Sequence, residues 1–205
     1  MTVDPALEAL LVDHVRQIAA QVHDAATGTL GWRYRSHYDL LLEHGRLFAP
    51  APLSAALRQL PETHCYTNAL ATIANHTGSL GYAEGIAYCT VGNSVLPVAH
   101  GWCYLPDGTV QDPTWADGIG RAYLGVAIAD PAHMPRDGRG IFADFQRLQP
   151  MLKDVVPEPI FPTPGRTLPA GPQRRDQPAP TTRRPPDPIT TAPGLGISAR
   201  RPRKL

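Results

Sequence analysis

A cysteine, a histidine and an aspartate occur in that order in the middle of this sequence. Cys65 lies in THCYTNAL, and His100 and Asp112 both lie in HGWCYLPDGTVQDPT. A thiolate is a strong nucleophile, an imidazole can take up and return a proton, and a carboxylate can hold the imidazole in one tautomer. If the fold brings them together, these side chains indicate nucleophilic chemistry on an amide or ester carbonyl.

The hairpin that contains His100 and Asp112 decides whether these two side chains can meet. Residues 106–108 (PDG) suit a three-residue loop, because proline favours the first turn position and glycine the left-handed third position. The numbers of paired residues then sum to 214, so Asp112 lies opposite Trp102. His100 shares that face and lies diagonal to Asp112, within side-chain reach. A two-residue loop would put the two side chains on opposite faces.

Cys65 is expected in the first turn of a helix that Thr63 caps and Gly78 ends. The unpaired N–H groups and the dipole at a helix N-terminus favour the thiolate form of a cysteine. The backbone N–H of Cys65 can also hold an oxyanion, and Trp102 and Gln59 are the candidates for a second donor. The alternative for Cys65 is a small apolar residue buried in a helix.

Three further residues are candidates for the surroundings of this site. Asn68, one turn after Cys65, either orients the site or bonds a local backbone group, and Tyr66 and Glu84 either line the pocket or serve packing and solvation. The H-x-x-C spacing of His100 and Cys103 does not predict a zinc site, because strand alternation puts these side chains on opposite faces.

The motifs around these residues resemble those of the transglutaminase-like branch of the papain-like superfamily. They are CYTNA at 65–69, HGW at 100–102 and DPTW at 112–115. With YAEG at 82–85, they are also similar to blocks found in small bacterial and phage proteins.

The resemblance implies a papain-like core with Cys65 as nucleophile, His100 as base and Asp112 as orienting acid. It implies hydrolysis or acyl transfer on a peptide or a small amide or ester through a thioester. We expect neither a metal nor another cofactor, because the thiolate itself forms the acyl intermediate. The alternative is a catalytically idle binding or scaffold protein on the same core, acting through its surface and its basic tail.

The elements around these residues follow the pattern of an α+β protein. Helices come first and antiparallel strands second, rather than in βαβ alternation. Hydrophobic spacing and capping residues predict helices over 5–28, 37–45, 53–60, 63–78 and 141–153, and strands over 82–91, 95–105, 109–114 and 121–128.

Composition divides the chain into a domain, residues 1–156, and a Pro/Arg-rich tail, residues 157–205. The tail holds 13 of the 23 prolines and has a net charge of +6, which leaves −5 for the domain. Such a composition predicts disorder, and the basic stretch 166–205 is a candidate for weak contact with a polyanion or an acidic protein. The odd number of cysteines, three, and the lack of a signal-peptide pattern predict a cytoplasmic protein. The lack of a long apolar run predicts that no segment spans a membrane.

Overall fold

A computed structural model describes residues 2–25, 27–29, 31–154 and 160–170 of the chain. Four α-helices and five strands occur in these residues. In chain order they are α1 (Pro5–Ala25), α2 (His37–His44), β1 (Arg46–Phe48), α3 (Cys65–Asn75), β2 (Gly81–Val91), β3 (Ser94–Tyr104), β4 (Val110–Gln111), β5 (Gly120–Ile128) and α4 (Phe145–Lys153). None of the helices in this part of the chain combines the length and apolar character that a membrane span requires.

The described strands form one antiparallel sheet in the order β1-β5-β2-β3-β4. β2 and β3 pair from end to end through the two-residue turn Gly92-Asn93. Helices followed by an antiparallel sheet confirm the α+β class. β1 was not predicted, because its three residues are too few to show a period.

The two N-terminal helices begin where their capping residues predict. The Asp4 carboxylate accepts from the N–H groups of Ala6 and Leu7, and Ser36 forms a capping box with Asp39. Both helices then turn their apolar stripes to the core. Their fully buried residues include Leu11, Val12, Val15, Leu40 and Leu41.

The helix predicted over residues 53–60 does not form. The segment instead bonds to the neighbouring hairpin, with the Ser54 N–H donating to Gln111 Oε1 and the Leu60 N–H to the Pro113 carbonyl. These tertiary bonds replace the helical ladder that the local sequence favours.

The start of α3 and the start of α4 also differ from the sequence prediction. Thr63 does not cap α3, because His64 is its N-cap and Thr63 has a φ of +73°. The closing segment begins as a 3₁₀ turn over Ile141–Ala143, and α4 follows after Asp144. Phe145, the first residue of α4, is 59% exposed.

The two faces of the sheet carry different cores. α3 packs on one face, where the Cys103 thiol lies 3.3 Å from the Ala69 carbonyl and the two residues are buried together. The other face carries a mainly aromatic cluster formed by Phe48, Trp102, Tyr104 and Tyr123 with Ala83, Ala87, Ala127 and Val110. Trp102 and Cys103 therefore lie on opposite faces, as the alternation predicts.

Part of the segment assigned to the tail packs on the domain. The compact unit extends to Pro169 rather than ending at residue 156. Phe161 is buried, Arg166 forms an antiparallel bridge with Leu47, and the Arg166 guanidinium makes a two-pronged ion pair with the buried Glu8 carboxylate. Arg166 is thus already engaged within the domain. The predictions for residues 171–205 lie outside the described residues.

Candidate active site

The hairpin loop has the length on which the pairing of His100 and Asp112 depends. Gly108 has a φ of +84°, and Cys103 pairs with Gln111 in the register whose residue numbers sum to 214. His100 and Asp112 consequently meet, with 2.7 Å between His100 Nε2 and Asp112 Oδ2. The predicted three-residue loop and its geometric consequence are confirmed.

Asp112 is held by four hydrogen bonds that fix the plane of its carboxylate. Oδ1 accepts from the backbone N–H groups of Thr114 (2.9 Å) and Trp115 (3.2 Å). Oδ2 accepts from the Tyr123 hydroxyl (3.0 Å) as well as from His100. A carboxylate bonded in this way can orient an imidazole without moving itself.

The environment of His100 favours the imidazolium form. The side chain is only 2% exposed, and burial by itself lowers its pKa. Hydrogen bonds to Asp112 and Cys65, together with the charges of those groups, outweigh the burial and raise the pKa of His100 to about 9. Trp115 adds a face-to-face stack, with ring centroids 3.6 Å apart and an interplanar angle of 4°. An imidazolium under an indole face gains cation–π stabilisation.

Cys65 is the first residue of α3 and lies beside His100. The thiol of Cys65 contributes to the raised pKa of His100, which makes the two side chains neighbours. Because Asp112 occupies Nε2, Nδ1 is the ring nitrogen left for the thiol. The first bond of α3 runs from the Asn68 N–H to the His64 carbonyl (2.8 Å), so the N–H groups of residues 65–67 stay outside the helical ladder. Cys65 is partly exposed, whereas Cys89 and Cys103 are buried.

The two candidates for a second oxyanion donor occupy different positions. Trp102 is fully buried on the face opposite α3, and its ring reaches across the sheet to Gly125 in β5. Its Nε1 has no partner among the described residues. The structure therefore places Trp102 in the aromatic cluster on the face that also carries His100. Gln59 lies closer to the site, but its Nε2 donates to the Pro113 carbonyl (3.3 Å).

Asn68 connects α3 to the loop that follows Asp112. Its Nδ2 donates to Thr114 Oγ1 (3.0 Å) and to the Pro61 carbonyl (2.7 Å), and the side chain is buried. The Thr114 backbone N–H in turn donates to Asp112. Asn68 thus links the helix that carries the thiol to the loop that carries the carboxylate.

Tyr66 belongs to the first turn of α3, and Glu84 lies close to its side chain. A Cβ added at Gly101 or Gly140 would lie 2.7 or 2.5 Å from the Tyr66 ring, so both glycines permit its close packing. Glu84 is 1% exposed, and it accepts from the Tyr82 hydroxyl (2.7 Å) and the Phe142 N–H (3.0 Å). Burial raises the pKa of Glu84 to about 7. Glu84 is therefore a buried structural carboxyl, not a solvated charge or an open pocket wall.

Two aromatic residues of the site were missed in the sequence. Trp115 belongs to the DPTW motif, yet nothing in the motif reveals that its ring stacks on His100. Tyr123 lies in a predicted strand, but its bond to Asp112 depends on how the loop after β4 folds over the sheet. In the described residues, no group of three or more His, Cys, Asp or Glu side chains is arranged to hold a metal ion.

No protein-family model matches the chain, and comparisons with curated proteins and with solved structures give no match. The resemblance to transglutaminase-like enzymes therefore rests on the motifs and stays a prediction.

Proposed function

We propose that the protein is a thiol-dependent hydrolase or acyltransferase with a transglutaminase-like, papain-like core. One observation carries the proposal: His100 Nε2 lies 2.7 Å from the Asp112 carboxylate, and Cys65, at the start of α3, is near enough to raise the pKa of that imidazole. The nucleophile begins a helix, and the imidazole and the carboxylate come from the adjacent hairpin. A peptide or a small amide or ester is the substrate class that this chemistry suits.

The proposed reaction has two half-reactions. In the first, the Cys65 thiol gives its proton to His100, and Sγ attacks the carbonyl carbon and forms a C–S bond. The resulting oxyanion accepts hydrogen bonds from N–H groups at the start of α3. The C–N or C–O bond then breaks, and the leaving amine or alcohol takes a proton from His100. In the second, His100 removes a proton from water or an acceptor amine, the new nucleophile attacks the thioester, and the C–S bond breaks.

Selective alkylation tests the state of the thiol. Iodoacetamide should label Cys65 ahead of Cys89 and Cys103, because both of the latter are buried and burial raises the pKa of Cys103 to about 12. His100→Ala should slow labelling of Cys65. His14→Ala is the matched control, because His14 packs against Tyr88 rather than in the site. Equal, slow labelling of all three cysteines contradicts the proposal.

Acylation tests the reaction itself. With p-nitrophenyl acetate we expect a burst of p-nitrophenolate and one acetyl group on the protein by intact mass, both lost in Cys65→Ser. Cys89→Ser should leave the burst unchanged, because that thiol is buried.

A catalytically idle binding protein on the same core is the second candidate. The observation that favours it is the burial of His100, which is 2% exposed beneath Trp115. This candidate predicts that Cys65→Ser leaves the biological role intact, whereas deletion of residues 171–205 abolishes it. A burst that depends on Cys65 argues against it.

A further inference from the structure

A short hairpin of arginines lies against the first turn of α3. Arg136 and Arg139 are paired residues of an isolated antiparallel bridge, and the Arg139 N–H donates to the Arg136 carbonyl at 3.0 Å. Asp137 (φ +54°) and Gly138 (φ +72°) form the two-residue turn between them. Positive φ at both central positions is typical of a type I′ hairpin, which holds the flanking side chains directly opposite each other.

This arrangement places two like charges at paired positions, where they repel. Among the described residues, neither guanidinium has a carboxylate within salt-bridge distance. Both arginines are exposed and line a cleft of about 560 Å³. An oxyanion between the guanidinium groups would relieve the repulsion, since arginine binds carboxylates and phosphates through paired N–H donors.

The acidic side chains in this cleft do not cancel its charge. Asp144 caps α4 by accepting from the Arg147 N–H, and its other oxygen lies 4.0 Å from the Arg147 guanidinium. This leaves the single negative charge of Asp137, in the turn itself, to balance the positive charges of both arginines. An excess of positive charge therefore remains in the cleft.

The hairpin is joined to the helix turn that carries Cys65. A Cβ added at Gly138 would lie 3.4 Å from Thr67 Oγ1, two residues after Cys65. Gly140, just after the hairpin, packs against the ring of Tyr66. The Phe142 N–H donates to the buried Glu84 carboxyl and holds the segment in place. The turn of the hairpin that carries the two arginines therefore lies beside the first turn of α3.

We propose that the cleft lined by Arg136 and Arg139 binds an oxyanion, a carboxylate or a phosphate, of the substrate on which Cys65 acts. This inference rests on the proposed function, and it assigns to the same site a negatively charged substrate.

Binding is measured first, independently of any cysteine chemistry. Succinate and inorganic phosphate are titrated separately into the full chain, and the backbone amide resonance of Gly138 is followed. We expect a saturable shift with at least one of the two anions, lost in the Arg136→Gln, Arg139→Gln double variant. The anion that saturates at the lower concentration identifies the group as carboxylate or phosphate. No saturable shift with either anion overturns the proposal.

The link to Cys65 is measured with two alkylating reagents that differ in charge. With either iodoacetate or iodoacetamide, Cys65 Sγ displaces iodide, so a C–S bond forms as the C–I bond breaks. One unit charge about 10 Å away in water changes the local concentration of an anion about twofold. At low ionic strength, the double variant should therefore lower the ratio of the iodoacetate rate to the iodoacetamide rate by about threefold.

Arg58→Gln with Arg121→Gln is the matched control, because it removes the same charge from residues outside this cleft. The control should keep the wild-type ratio. An unchanged ratio in the Arg136, Arg139 variant, or an equal fall in the control, overturns the proposal. Failure of the proposed function is seen separately, as iodoacetamide labelling of Cys65 that is no faster than that of Cys89.

Discussion

Replacing Asp112 with asparagine should change both the charge and the tautomer of His100. Asparagine retains an oxygen that can accept from the backbone N–H groups of Thr114 and Trp115, so the loop should keep its shape. Its amide nitrogen then donates to His100 Nε2, which forces the proton of the neutral imidazole onto Nδ1. Because Nδ1 is the nitrogen left for Cys65, the imidazole can no longer accept the proton of the thiol.

The size of the effect follows from the pKa of His100. The difference between its ordinary value of 6.5 and about 9 corresponds to about 3 kcal/mol of preference for the imidazolium. Burial opposes this preference, whereas the hydrogen bonds and charges of Asp112 and Cys65 produce it. With the carboxylate removed, burial should prevail, and the pKa of His100 should fall below 6.5.

The assay is a pH titration of the His100 ring resonances by NMR, alongside the rate of alkylation of Cys65 by iodoacetamide at pH 7. We expect a midpoint near pH 9 in the wild type and below pH 6.5 in Asp112→Asn, with labelling slowed at least about tenfold. Asp117→Asn is the control, because it makes the same change five residues later, where the carboxylate accepts from the Leu53 N–H. A midpoint that stays near pH 9 in Asp112→Asn would refute the reasoning.

Unfolding free energy measured against pH should show the same interaction. Because the folded-state pKa of His100 is above its ordinary value, its stabilisation is fully present below pH 6.5 and is lost as the pH rises through 9. The wild type should therefore lose about 3 kcal/mol from this group between those limits. Asp112→Asn should lack this loss.

Two further substitutions test the packing around the site. Gly101→Ala should lower the unfolding free energy by about 1–3 kcal/mol and slow alkylation of Cys65, because its Cβ would lie 2.7 Å from the Tyr66 ring. Gly28→Ala is the control, because open space surrounds Gly28, and it should change neither quantity. Equal effects of the two substitutions would contradict this prediction. Arg166→Ala should cost about 1–2 kcal/mol in urea unfolding, because it leaves the buried Glu8 carboxylate without its partner; a change under about 0.5 kcal/mol would show that the 160–170 segment is not held by this ion pair.

Local rules were sufficient for the parts of the fold that local bonds decide. The caps of α1 and α2, the Gly92-Asn93 turn and the three-residue loop at 106–108 all depend on residues within four positions of one another. Because the loop length determines which face each strand residue occupies, one short motif was enough to bring His100 and Asp112 together.

The same rules failed where distant segments compete for backbone groups. Residues 53–60 have the composition of a short helix, but their N–H groups bond to Gln111 and Pro113, more than fifty positions away. The strand at 46–48 and the packed segment at 160–170 form for the same reason, since each pairs with a partner remote in sequence. A helical or strand period carries no information about such partners.

The sequence by itself determined the order of elements, the α+β class and the hairpin geometry that joins His100 to Asp112, because these follow from turn chemistry and side-chain period. Only the tertiary structure decided which groups surround that pair. Segments distant in sequence meet in space and produce four features: the stacking of Trp115 on His100, the bond from Tyr123 to Asp112, the burial of Glu84, and the position of the arginine hairpin beside α3. Their contacts depend on loop paths, and loop paths are set by the packing of the whole domain rather than by neighbouring residues.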